Sequence, residues 1–517
     1  MQKKYTLILL AMALIVVQQT QSQDLHVSAT GTLYVSPKSD INVTGSLEVV
    51  AGGDVTISSD ATHSGSLIVS GTATGVISYQ KHIPDANWHF VSAPVETQSI
   101  NDFVLDAANG IPTSATNNYG VSVYNNTNAA GSRWEYYSAA GIHPANAAGN
   151  FTTGKGYSNK RTDAGYYTFK GTMATADVVI TTASTTVHKW EVVGNPYPSF
   201  LPANNAANGT NNLLAQNLNN LEASYVYLSF WDGTAYQVIN HASDALHLTP
   251  GQAFMVRKSA DGEIFTFPEN LQTAQVAAAT TSYRVTVTPE ITLSLLSGTL
   301  TKTTTLKYFS NTTTGLDPGY DAGTYIDTTP TFAIDTHLIA DSQGTDFTLQ
   351  CLPNNNFETS IVPLSIKAMA NESITFSAKS INLPAGLKVF LEDKVAQTVT
   401  DITTTSHQVT PNESLNGIGR FYMHTAESVL SIKENDFATS LNMYKTSITN
   451  LRITGLELQG ATAFVKMYTI LGTVVMSTSF KAENVNDVAL PENLATGIYL
   501  VQVVANGAKQ TKKLIIE

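Results

Sequence analysis

The feature that most restricts this chain is the shortness of its periodic segments. Apolar and polar residues alternate over runs of about four to eight positions, each stopped by Gly, Asn, Asp or Pro, which is strand spacing. A period of two sends successive side chains to opposite faces of a strand, whereas a globular helix needs the 3.6-residue period held over about ten positions. LLAQNLNNL, within the Asn-rich stretch 204–220, suits one short helix. The fold class is therefore all-β: short β-helix-like or meander repeats first, then two β-sandwich-like domains, then a small C-terminal β-sandwich.

The repeats occupy 23–80, as GTLYV at Gly31, GSLEVV at Gly45, GDVTI at Gly53, GSLIVSG at Gly65 and GVISY at Gly75. Glycine turns between such short runs suit either a parallel β-helix fragment or a meander, with Leu33, Val35, Leu47, Val49, Leu67 and Val69 facing inward. An aromatic-rich β domain is expected at 81–275, holding all four tryptophans, Trp88, Trp134, Trp190 and Trp231. QVAAATTS at 275–282 lacks charge and large apolar anchors and reads as a linker. A second β domain follows at 276–428, then a linker at 429–442 and a final unit at 443–517.

At the amino end, Lys3 and Lys4 precede an apolar run from Thr6 to Val17 and a polar stretch ending in small Ser22. That is the pattern of a signal peptide over 1–22. The run is shorter than the roughly 20 apolar residues a membrane span needs, so no transmembrane segment is expected in the mature chain.

At the carboxyl end the strands AFVKMYTI and TVVMSTSF flank Leu471-Gly472, and GIYLVQVV meets KQTKKLIIE across Asn506-Gly507. Asn-Gly suits a two-residue type I′ hairpin, which sets Val501 opposite Lys512 and Leu500 opposite Lys513. An ordinary small β-sandwich would satisfy the same pattern. Three elements together resemble the type A sorting domain of type IX secretion substrates: Met467 to Val475, then Leu494 with Gly497 to Tyr499, then a basic closing strand from Lys509. The resemblance implies a sorting motif built on Leu471, Gly472, Gly497, Tyr499, Lys512 and Lys513, the type IX secretion machinery as partner, and passage through the periplasm to the cell surface or medium. The family's opening Tyr-Pro-Asn-Pro turn has no counterpart here, where the stretch around Tyr444 reads LNMYKTSITNLRI. The segment YQKHIPDANWHFVSAPV at 79–95 similarly resembles uncharacterised surface proteins of the same secretion class.

With 28 basic against 40 acidic residues, a net charge of −12 and no basic run, nucleic acid is excluded as a natural partner. The one cysteine, Cys351, allows no intramolecular disulfide, and its alternating strand FTLQCLPNN points to a buried structural thiol. Asp317-Pro-Gly-Tyr-Asp321 offers carboxylates in a loop, so calcium is considered there, although a turn rich in Asp and Gly explains the residues as well. His241, Asp244 and His247 share no regular face. No metal-binding, nucleophile-elbow or phosphate-loop motif is present, and no cofactor is implied. Aromatic density in 81–275 is the main hint of ligand contact, with Trp134 and Trp231 as candidate stacking platforms for sugar rings. The leading expectation is an exported, non-catalytic structural or adhesin-like protein. A carbohydrate-binding protein is the alternative, and an exported hydrolase the third.

Overall fold

A computed structural model describes residues 23–516, apart from 142, 182–187, 234, 276–287, 356, 428–440, 448, 457–460, 471, 493 and 506–507. The signal-peptide reading of 1–22, most of the 275–282 linker and nearly all of the 429–442 linker lie outside the described residues. Half of the chain is strand and 6% helix, as the alternating pattern requires.

The amino-terminal repeats wind as a parallel β-helix. Leu25–Val27, Leu47–Val49 and Ala73–Thr74 stack in one parallel sheet, while Thr32–Val35, Asp54–Ser58 and Ile77–Ile83 form a second. Asp40–Val43 on Ser66–Val69 makes the third face. Val35, Leu47, Val49, Leu67 and Val69 are buried inside, and Leu33 is half-buried against them. Glycines let the corners stack: the Gly71 N–H donates to the Gly45 carbonyl at 2.9 Å, directly above it.

The expected domain boundary at residue 80 falls inside a strand. Ile77–Ile83 closes the β-helix on one edge and pairs antiparallel with Gly165–Gly171 on the other, from Ile83↔Gly165 to Ile77↔Gly171. Pairing covers the N–H and C=O groups that an open helix end would present. One hydrophobic core therefore runs from Val27 to Met173, filled at its centre by Phe103, whose ring lies 4.9 Å from Phe169 and 5.1 Å from Phe151.

The rest of the aromatic region includes two four-stranded sheets. One orders Trp134–Ser138, Asn118–Tyr124, Tyr157–Lys160 and Trp88–Val91, and the other Trp190–Gly194, Ala253–Arg257, Leu228–Trp231 and Tyr236–Ile239. The helical stretch yields the short helix Leu213–Asn217, capped by Asn212, whose side chain accepts from the Ala215 N–H.

Strands from Glu290–Ser297 to Leu415–Ala426 join a single 11-stranded sheet, where two facing sheets were expected. Phe376 and Phe421 sit on strands six places apart in the sheet order, which would separate them by about 29 Å were the sheet flat. Their rings meet at 4.7 Å, so the sheet curls around its own core. The last unit has a three-stranded sheet, Asn442–Ser447, Asn450–Thr454 and Val485–Ala489, and a four-stranded one, Val474–Lys481, Thr462–Thr469, Gly497–Ala505 and Ala508–Ile516. Both contribute to one core, Met443, Leu451 and Ile453 from the first and Val465, Met467 and Val503 from the second.

Gly75 tests the β-helix directly, because its φ is +88° and a Cβ there would lie 2.0 Å from the Val49 carbonyl oxygen. Gly75→Ala should lower unfolding free energy by at least ~2 kcal/mol, combining left-handed strain with a backbone clash. Urea titration followed by circular dichroism measures it.

Candidate functional site

An open cleft of about 340 Å³ lies over the first aromatic sheet, lined by Trp88, Pro112, Thr113, Ser114, Thr116, Asn118, Tyr119, Gly120, Tyr136 and Lys160. Its walls follow from strand register. Lys160 pairs with Trp88, and the Trp88 and Tyr136 rings close over the intervening strands edge to face, 5.7 Å apart. Gly120 supplies the low floor, since a Cβ there would fall 2.9 Å from Pro112 Cγ and Cδ. The opposite rim is a hydrogen-bonded turn in which Ser114 Oγ meets Thr116 Oγ1 at 2.9 Å and accepts from the Asn118 N–H at 3.1 Å. Tyr136 is 40% exposed and Trp88 half-buried, so both keep ring surface for a ligand. Neither was a candidate platform in the sequence, because only pairing across the sheet sets them side by side.

Trp134 and Trp231, the expected platforms, are half-buried in a different place. Trp134 packs on Phe90 at 5.3 Å and Tyr124 at 5.1 Å, while Trp231 packs on Tyr236 at 5.1 Å. These rings belong to an aromatic seam against the segment 320–327: Tyr325 lies 4.9 Å from both Trp190 and Tyr236. The aromatic density thus serves mainly to join one part of the chain to the next.

Asp317 and Asp321 shape that joining segment. Asp321 is fully buried, one oxygen accepting the Cys351 N–H and the other the Asp317 N–H, both at 2.7 Å. Asp317 accepts the Thr313 N–H at 2.6 Å. Carboxylate oxygens committed to backbone N–H groups close a turn, and among the described residues no group of three or more His, Cys, Asp or Glu is placed to hold a metal ion. The turn then docks: Asn240 Nδ2 donates to the Tyr320 carbonyl at 2.6 Å, Tyr227 Oη to the Gly323 carbonyl at 2.7 Å, and Arg133 Nε to Asp327 at 2.7 Å. Burial dominates at Asp321 and raises its pKa to about 7. It also holds the Cys351 thiol far above the usual range, so this buried sulfur is no nucleophile. Burial likewise lowers the pKa of His241 and His247, and the His241 backbone N–H donates to the Gly319 carbonyl.

A serine, a histidine and an aspartate do meet elsewhere. Ser342 Oγ is 3.4 Å from His337 Nδ1, and His337 Nε2 is 2.7 Å from Asp346. Ser342 is 1% and His337 2% exposed, and Lys367 takes the other Asp346 oxygen at 3.0 Å. Tyr444 of the last unit covers them, its ring 5.7 Å from His337. A nucleophile needs an approach for substrate, and this cluster is instead an interior polar network that the final unit seals.

In that final unit the hairpin pairs as its turn residues require, Val501↔Lys512 and Leu500↔Lys513, continuing to Ala505↔Ala508. Gly472 takes a left-handed φ of +85° and donates to the Thr469 carbonyl, while Leu471 lies outside the described residues. Gly497 opens the next strand opposite Ile516, and Tyr499 is buried with its hydroxyl donating to the Ala495 carbonyl at 2.8 Å. Lys512 leans inward and donates to Asn442 Oδ1 at 2.7 Å. The four-stranded sheet leaves Phe464, Val474, Ile498, Leu500 and Ile515 exposed.

Comparison with known families gives two matches. Residues 7–424 match a domain of unknown function (DUF8693), and residues 445–517 match the secretion system C-terminal sorting domain. No curated protein matches the chain.

Asp321 makes the packing of the joining turn pH-dependent. Its folded pKa, about 7, lies above that of an unfolded carboxylate, so its stabilising contribution is complete below about pH 4 and is lost as pH rises through 7. Asp321→Asn should flatten the fall in stability between pH 4 and 7, where one such group contributes up to ~1.4 kcal/mol per pH unit. Denaturant melts of both proteins at pH 4, 5.5 and 7 give the comparison.

Proposed function

The chain belongs across residues 7–424 to this family of unknown function and closes in a type IX sorting domain that marks it for the cell surface or extracellular space, and from that premise we propose a non-catalytic, adhesin-like protein that grips extracellular saccharide. The observation that carries the proposal is the Trp88–Tyr136 cleft: two aromatic rings held on a sheet beside a polar turn of Thr113, Ser114 and Thr116. Apolar ring faces of a pyranose stack on such side chains, and its hydroxyls need the adjacent polar rim. Strand pairing pre-sets the geometry, so little ordering entropy opposes binding.

Export and binding are tested separately. A chain ending at residue 440 should accumulate in the periplasm, read by cell fractionation, while keeping the β-sheet spectrum of the parent. Normal surface delivery of that truncation would refute the assignment of sorting to the last unit. In isothermal titrations against neutral and acidic oligosaccharides, Trp88→Ala and Tyr136→Ala should each weaken binding about tenfold, the value of one well-placed aromatic contact. Trp231→Ala should leave affinity unchanged. Parent-like affinity in both cleft variants would end the saccharide reading.

A further inference from the structure

We propose that the cleft selects an acidic pyranose, its carboxylate received by the ammonium group of Lys160; this rests on the saccharide reading above. Lys160 is the only charged side chain among the cleft's lining residues, and it stands in register with Trp88, so a sugar stacked on the indole brings its ring substituents to the lysine. The adjacent cation shows what an occupied one looks like. Arg161 is 6% exposed and spends its guanidinium on the carbonyls of Asn109, Asp163 and Tyr166. The Lys160 side chain has no hydrogen-bond or ion-pair partner among the described residues, and no carboxylate lines the cleft with it.

Charge balance strengthens the point. The protein carries a net charge of −12, so an anion approaching most of its surface is repelled, and a lone ammonium in a half-apolar recess is the local exception. Beside aromatic walls the carboxylate–ammonium contact is less screened than on open surface, and a charge-assisted hydrogen bond discriminates strongly against the neutral analogue. The hydroxyls of Thr113, Ser114 and Thr116 lie on the facing rim, where the remaining sugar hydroxyls would point. The ligand class is thus a uronic or sialic acid residue rather than a neutral hexose.

The test pairs each acidic sugar with its neutral counterpart: trigalacturonate against galactotriose, and sialyllactose against lactose, titrated calorimetrically into the full chain at 50 and 500 mM salt. The expected result is at least a fivefold preference for one acidic member, shrinking at high salt as screening grows. Lys160→Gln should abolish the preference, and Lys160→Arg should restore most of it. Equal affinity for acidic and neutral members, or a preference that survives Lys160→Gln, overturns the inference and leaves the saccharide reading standing. Failure of every sugar to bind removes both. Unchanged thermal midpoints in the Lys160 variants establish that any loss is local.

Discussion

The buried carboxylate of Asp321 holds the two largest parts of the chain in one arrangement. A fully buried acid is costly unless its oxygens are satisfied, and here two backbone N–H groups, from Asp317 and Cys351, meet that need. The turn so fixed presents the Tyr320 and Gly323 carbonyls to Asn240 and Tyr227 and inserts Tyr325 between Trp190 and Tyr236. Loss of that acceptor would leave buried N–H groups unpaired, at about 1–3 kcal/mol each. With no disulfide possible, this hydrogen-bonded turn and its aromatic seam do the joining that covalent links perform in many exported proteins.

Edge closure is the second organising constraint. A chain made of short strands produces many edges, and an open edge invites pairing with other chains. The β-helix ends by lending Ile77–Ile83 to an antiparallel partner, and the 11-stranded sheet curls until Phe376 touches Phe421. Tyr444 packs against His337 and Gly344, so the sorting domain rests on the body that it delivers.

Local patterns were legible where the chemistry is local. The register Val501↔Lys512 follows from a two-residue Asn-Gly turn, and the inward positions from Val35 to Val69 follow from period two. The choice between β-helix and meander was not legible, since parallel and antiparallel stacking bury the same alternate residues. Nor was the domain limit at residue 80, because a strand shared by two sheets leaves no compositional mark. Sites met the same limit: Trp134 and Trp231, the candidate platforms by composition, each pack on neighbouring rings, whereas Trp88 reaches Tyr136 only across two intervening strands.

Sequence by itself determined that the protein is all-β, that its thiol is structural and that its last strands form a sorting domain, because alternation, turn chemistry and short motifs act between near neighbours. The tertiary structure alone decided that Asp317 and Asp321 close a docking turn, that Ser342 and His337 lie sealed beneath Tyr444, and that Trp88, Tyr136 and Lys160 share one cleft. Each of these depends on which strand pairs with which, and pairing joins residues whose distance along the chain says nothing of their distance in space.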